Sequence, residues 1–406
     1  MRLVISQFMN IQSSADKPHP FALFNLGFRP FFLFATLFSI VSIGAWTAVY
    51  VANWWPQGVM GYTPSQWHAH EMIFGYAMAV IAGFLLTAVR NWTNLPTLAG
   101  WPLALLVLTW LAARILWLLL PANVIPMLVL DMLFNLALAV AIAIPLLKAK
   151  QKVQLGIVAK ILLLAMANGS FYLGALGLLE QGIRWGLYSG LYLILSLIFV
   201  MGRRVVPFFI ERGVGYPVQI TNRAWVDKSS LILMLLFWLV DVFTPYAMLA
   251  SILAAGLLVV HGVRLAGWHT PGVWKKPLLW VLFVGYGSAV LGFLLKALEA
   301  VVSISPYLAV HAFAVGAVGL MTVGMMARIS LGHTGRNIQE PPRVLTLVFM
   351  VLAAVVLVRV GLVWLAPQWS LFWLELASFG WLLAFVLFAI AYAPIWVKPR
   401  VDGQPG

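Results

Sequence analysis

About 12 times along this chain an apolar run reaches the length needed to cross a bilayer, roughly 20 residues at 1.5 Å per residue. Such runs leave one class of fold open, because in hydrocarbon every backbone N–H and C=O must be paired inside the segment, which selects helices. Of the 406 residues 63% are hydrophobic and 9% are charged, with a mean hydropathy of +0.99. No water-soluble surface can be built from so few charges. The chain therefore reads as an all-α membrane protein, one polytopic bundle over 31–395 with a short segment 1–30 before it and a tail 396–406 after it. The run from Phe31 is longer than a signal-peptide h-region, so it reads as a retained span.

Spans are expected near 31–51, 64–89, 101–120, 124–147, 157–179 and 183–201, then near 229–245, 247–265, 278–303, 306–327, 343–366 and 370–395. The longest polar stretch, 202–228, separates two sets of six, a layout also found in transporters made of repeated halves, although no motif recurs between the sets. The formal charge of +14 does not point to nucleic acid, because the basic residues sit in short loops between apolar runs. Arg2, Lys17, Arg29, Arg90, Lys148, Arg203, Lys276, Arg336 and Lys398 fall on one side, while the opposite loops hold little beyond Arg184. The positive-inside rule then places both termini in the cytoplasm. With no cysteine, disulfides, thiolate ligands and cysteine nucleophiles are excluded.

Several ionisable residues fall inside the spans, and their depths agree. Glu71, Arg114, Asp131, Asp241, Lys296, Glu299, Arg359 and Glu375 all lie toward the outer ends, whereas the inner halves look nearly free of charge. Charge in hydrocarbon is costly unless it faces other charge, water or a cofactor, so the shared depth predicts one polar cavity opening to the outer face.

Histidines occupy the same layer. Thr63, Pro64 and Gln66 supply an N-cap, a first helical residue and a capping-box partner, so His68 and His70 are already helical. Two residues apart on a helix means opposite faces, so each needs its own partner. Glu71 is expected to share the His68 face and fix its tautomer. Met72, Gly75, Ala79 and Gly83 continue that face as a strip of small residues, suited to a close neighbouring helix or a flat cofactor. Ser305–Pro306 starts another helix and sets His311 about 8 Å in. His261 lies near the inner end, too deep to share ligands with these three. Imidazoles on facing helices suit haem iron, and imidazole also suits copper. Met325 and Met326 are soft atoms whose inner position favours packing.

Four stretches resemble the NnrS family of bacterial membrane proteins: Leu26–Phe32 (LGFRPFF), WHAHEMIFGYAMAVIAGFLLTAV from Trp67 followed by Asn91-Trp92-Thr93, GRRVVPFF from Gly202, and HAFAVGAVGLMTVGMMARISLGHTGR from His311. The resemblance covers most of the chain. It implies a multi-span protein of the bacterial inner membrane that contains haem and copper and acts in tolerance of nitric oxide. Its matching motifs cover His68, His70, Glu71, His311, His333 and Arg336. The histidine placement on spans 2 and 10 is similar to that in haem–copper oxidases, but spans 6 and 7 carry no histidine for their copper, so oxygen reduction is not expected. The resulting expectation is haem b, with copper as a second metal, held by His311 and one of His68 or His70. Arg114 and Arg359 would meet its propionates, and Glu71 would orient His68. Nitric oxide or its adducts would be the partner, besides membrane lipid. The rival expectation is a secondary transporter with a polar cavity and no metal.

Overall fold

The computed structural model describes residues 21–56, 58, 59 and 61–404. Arg2, Lys17, His19 and most of the expected segment 1–30 lie outside them. Among the described residues there are twelve long helices and no strand. These are α1 (Phe28–Val51), α2 (Pro64–Thr93), α3 (Gly100–Leu119), α4 (Ile125–Lys148), α5 (Leu155–Ala175) and α6 (Gly182–Gly213). The second six are α7 (Ala224–Phe243), α8 (Ala247–Trp268), α9 (Pro277–Leu298), α10 (Pro306–His333), α11 (Val344–Leu365) and α12 (Ser370–Val397).

Eleven of these are long and apolar enough to cross a membrane on composition alone. The exception, α7, is 20 residues long but carries Asp227, Lys228 and Asp241. Neighbouring helices compensate both acids. Asp227 pairs with Arg203 at 2.9 Å and Arg264 at 2.8 Å, and Asp241 pairs with Lys296 at 3.0 Å. All twelve expected spans are therefore present as helices.

Two boundaries differ in substance from the sequence reading. Helix α6 continues through GRRVVPFFIERG, so the first part of the expected polar stretch is helical. Arg203 and Arg204 tolerate that position because Asp227 and Gln154 receive their guanidinium donors, at 2.9 and 2.7 Å. Helix α10 likewise runs on to His333. The inner halves are consequently less free of charge than expected, since Asp227, Arg264 and Arg328 all lie within helices.

Burial ranks the helices. In α2 and α10 78% and 72% of the membrane-crossing stretch is buried, against 39% in α1, α4, α8 and α11. The two central helices are thus the ones that carry His68, His70 and His311. The small strip on α2 is used by α1: a methyl group at Gly75 would lie 2.6 Å from Phe38, and one at Gly83 2.9 Å from Phe32. That is helix packing at close range, which only glycine permits.

Both ends of the described chain meet at one face. Arg29, wholly buried at the start of α1, donates through Nη1 to the carbonyls of Ile395, Trp396 and Lys398 at 3.2, 3.0 and 2.7 Å. It satisfies the free carbonyls at the C-terminus of α12, where a cation also complements the helix dipole. Nearby, Arg400 donates to the His333 carbonyl at 3.0 Å.

Candidate functional site

At the face opposite the basic loops, α2 begins with the expected capping box: the Gln66 N–H donates to Thr63 Oγ1 at 3.3 Å, and the Thr63 N–H to Gln66 Oε1 at 2.7 Å. In α10 Pro306 also takes the first helical position, but Ser305 makes no side-chain cap. Just inside each start the winding changes. Residues Glu71–Ala77 of α2 and Ala312–Leu320 of α10 are π-helical, and so are Leu357–Leu362 of α11. These are all the π-helical segments among the described residues, and each adjoins or contains a candidate residue: His70 and Glu71, His311, and Arg359. Wider π turns loosen the ordinary hydrogen-bond ladder and recur at functional sites. Here they are tied down by side chains. Trp110 Nε1 donates to the Gly75 carbonyl at 3.1 Å, and the Tyr76 hydroxyl meets Thr322 Oγ1 at 2.8 Å, joining α2 directly to α10.

His68, His311 and Arg359 share one location. Arg359 is close enough to act electrostatically on both imidazoles, and His68 on His311. The Pro306–His311 turn packs on the π segment that carries Arg359. The His68 ring stacks on Trp46 of α1, 4.5 Å between centroids at 14°. Its Nδ1 is buried with no hydrogen-bond partner. The His311 Nδ1–H donates to the Tyr307 carbonyl at 2.6 Å, so its lone pair resides on Nε2. Arg359 makes no ion pair with any described carboxylate. Tyr50 and Tyr307 complete the surroundings.

His70 belongs to a different group, whose members are paired mainly with one another. Its Nδ1 lies 2.9 Å from Glu71 Oε1 and its Nε2 2.9 Å from Asn168 Oδ1, both at hydrogen-bond distance. The Asn168 amide is oriented by its other end, where Nδ2 donates to Asp131 Oδ2 at 3.2 Å. Both ring nitrogens of His70 are therefore occupied by protein contacts, which leaves neither open toward a metal. Arg114 bridges the two acids, with Nη2 2.6 Å from Asp131 and Nε 3.0 Å from Glu71, and the Tyr172 hydroxyl donates to Asp131 at 2.8 Å. The whole cluster is at most 5% exposed.

Three expectations change accordingly. Glu71 pairs with His70 rather than His68, because the α-to-π transition begins at Glu71 and alters the phase of the helix, while Arg114 holds its other oxygen. Arg114 has two protein carboxylates as partners. The charged layer is also divided rather than one cavity, since Asp241, Lys296 and Glu299 form a third group beside an open cleft between α7, α8 and α9. Glu375 makes no ion pair with the described residues.

The remaining histidines stand apart. His261 is wholly buried between Ser230 Oγ, 3.2 Å from Nε2, and the Tyr286 hydroxyl, 2.5 Å from Nδ1. His333 lies against Phe28 with the rings tilted at 40°, and His269 receives the Trp274 indole N–H at 3.2 Å. Met325 lines a small apolar pocket with Met201 and Met321, while Met326 is buried in the core. Among the described residues no three His, Asp or Glu side chains converge as a metal-binding group.

Asn168, Tyr172 and Trp46 were not singled out from sequence. Asn168 carried a signal, an amide in the middle of an apolar run, and Tyr172 stands one turn further on the same helix. A family model described as NnrS protein matches residues 22–400, nearly the whole chain. No curated protein matches it.

Proposed function

The chain belongs to the NnrS family, and on that premise we propose that this multi-pass membrane protein binds haem through His68 and His311 and serves the response to nitric oxide in a bacterial inner membrane. One observation carries the reading. On the two most buried helices, two imidazoles each with a nitrogen that has no partner among the described residues lie near a guanidinium that pairs with no described carboxylate. That donor set suits a group that presents a metal and carboxylates together, as haem does.

In this reading His311 offers Nε2, its tautomer held by the Tyr307 carbonyl, which is the usual outer support of a ligating imidazole. His68 is oriented by its stack on Trp46 and supplies the facing nitrogen. Arg359 neutralises propionate charge. His70 leaves the ligand set, and the cluster of Glu71, Arg114 and Asp131 braces α2 against α3, α4 and α5. Haem iron held by His68 and His311 would supply electron transfer or binding of nitric oxide. Copper finds no three-ligand group among the described residues, so haem is the better-supported metal group.

The test is optical and chemical. Purified protein is expected to show a Soret band and bound iron, lost on His311→Ala and retained on His70→Ala. Absence of the band from the wild type defeats the proposal.

The cleft beside Asp241, Lys296 and Glu299 favours a second reading, a secondary transporter. It predicts solute flux in proteoliposomes that is independent of metal.

A further inference from the structure

The cleft between α7, α8 and α9 is built around a charge imbalance. Lys296 of α9 stands between two carboxylates, its Nζ 3.0 Å from Asp241 Oδ1 and 2.6 Å from Glu299 Oε2. Asp241 is complete, because the Tyr192 hydroxyl donates to its other oxygen at 2.8 Å. Glu299 is not: its Oε1 is buried and has no hydrogen-bond partner among the described residues. One ammonium thus serves two acids, and a negative charge is left over among side chains that are only 10–17% exposed. Charge without compensation at such burial is costly, and a cation or a proton would relieve it.

The opposite sign stands at the mouth. Arg184, near the start of α6, donates through Nη1 to the Val242 carbonyl at 2.6 Å and through Nη2 to the Asp241 carbonyl at 2.8 Å, which pins its guanidinium at the C-terminus of α7. The residue is nevertheless exposed, and those two bonds use only two of its five N–H donors. Arg184 and the acid–lysine trio line one opening of about 370 Å³, room for a solute rather than for a single water. Its other walls are mostly apolar, among them Ala247, Ala250, Ile304 and Pro306. No residue of the His68, His311 and Arg359 group lines it.

We propose that this cleft binds a small zwitterion carrying a protonated amine and a carboxylate, the chemistry of a free amino acid. The charge left over on Glu299 draws the amine, Arg184 meets the carboxylate, and the apolar walls take the aliphatic part. This deepens the transporter reading by naming its substrate class, and it rests on that reading only for movement across the membrane.

Equilibrium dialysis of the full chain in maltoside micelles against radiolabelled L-alanine and L-leucine tests the site, with the methyl ester and the N-acetyl derivative of each as competitors. Saturable binding supports it when the unlabelled amino acid competes about tenfold or more better than either derivative, and when Glu299→Gln weakens the affinity about tenfold. Arg184→Gln is expected to weaken binding likewise. Since Arg184 also caps α7, the shape-preserving Glu299→Gln keeps the test open if that variant does not fold. No saturable binding to the wild type, or equal binding in Glu299→Gln, overturns the site, and a methyl ester that competes as well as the amino acid overturns the zwitterion. Flux in proteoliposomes separates the two claims. Binding without flux supports the site and defeats the transporter reading, whereas flux of another solute without binding of either amino acid keeps that reading and overturns the ligand class.

Discussion

His68 and His70 stand two residues apart on one helix, at the same depth and in the same membrane layer, yet they live in opposite regimes. Around His70 every polar atom of the ring has a protein partner, and the acids that face it are themselves held by Arg114, Asn168 and Tyr172. Around His68 the ring has an aromatic face and a buried nitrogen without a partner among the described residues, beside His311, held at Nδ1 by the Tyr307 carbonyl, and Arg359, which pairs with no described carboxylate. Groups paired mainly with one another stiffen a scaffold in low dielectric, and a ring and a guanidinium left over from such pairing mark where a ligand completes the accounting. The contrast separates structure from function more sharply than residue type does.

The largest effect is expected where the scaffold is broken. Asp131→Leu leaves Arg114, Asn168 and Tyr172 without a shared acceptor and should cost about 3–5 kcal/mol, read as a lower unfolding temperature and a poorer solubilised yield. A variant as stable as the wild type would remove the network from one side of the comparison. His70→Ala deletes a smaller part of it and should cost about 1–3 kcal/mol while leaving a Soret band undiminished. His311→Ala inverts that outcome: the band is lost, and stability of the haem-free protein changes by less than about 1 kcal/mol. If both variants lose haem and stability alike, the two regions are one unit and the distinction fails.

Arg359→Met sharpens the same point from the charge side. Removing a cation with no ion-pair partner among the described residues should leave the haem-free protein at least as stable, within about 1 kcal/mol, while weakening haem retention in a dilution assay. Loss of stability instead would show that Arg359 has a structural partner. The smallest effect is Trp46→Leu, which removes the stack on His68 and should cost about 0.5–1.5 kcal/mol with a perturbed haem spectrum.

Much of the architecture was legible because apolar length is a local property: each helix announces itself over its own residues, and so do the capping box at Thr63 and the proline starts at Pro64 and Pro306. The reading stopped short at α6, where Arg203 and Arg204 looked like a loop. Their tolerance depends on Asp227 and Gln154, which lie elsewhere in the chain. The site was legible as a set of residue types at one depth, and it was misassigned in its pairings. Glu71 could be given to His68 only by assuming uniform α winding, and the π turn starting at Glu71 breaks that assumption.

From sequence alone came a twelve-helix membrane bundle and an outer layer rich in imidazole and charge, since bilayer length and the cost of burying ions act on each segment independently. Only the tertiary structure decided which of those groups satisfy one another and which are left over. Hydrogen bonds and ion pairs at this depth are formed across helices, so the choice between His68 and His70 depends on what α1, α3, α4 and α5 bring to each face.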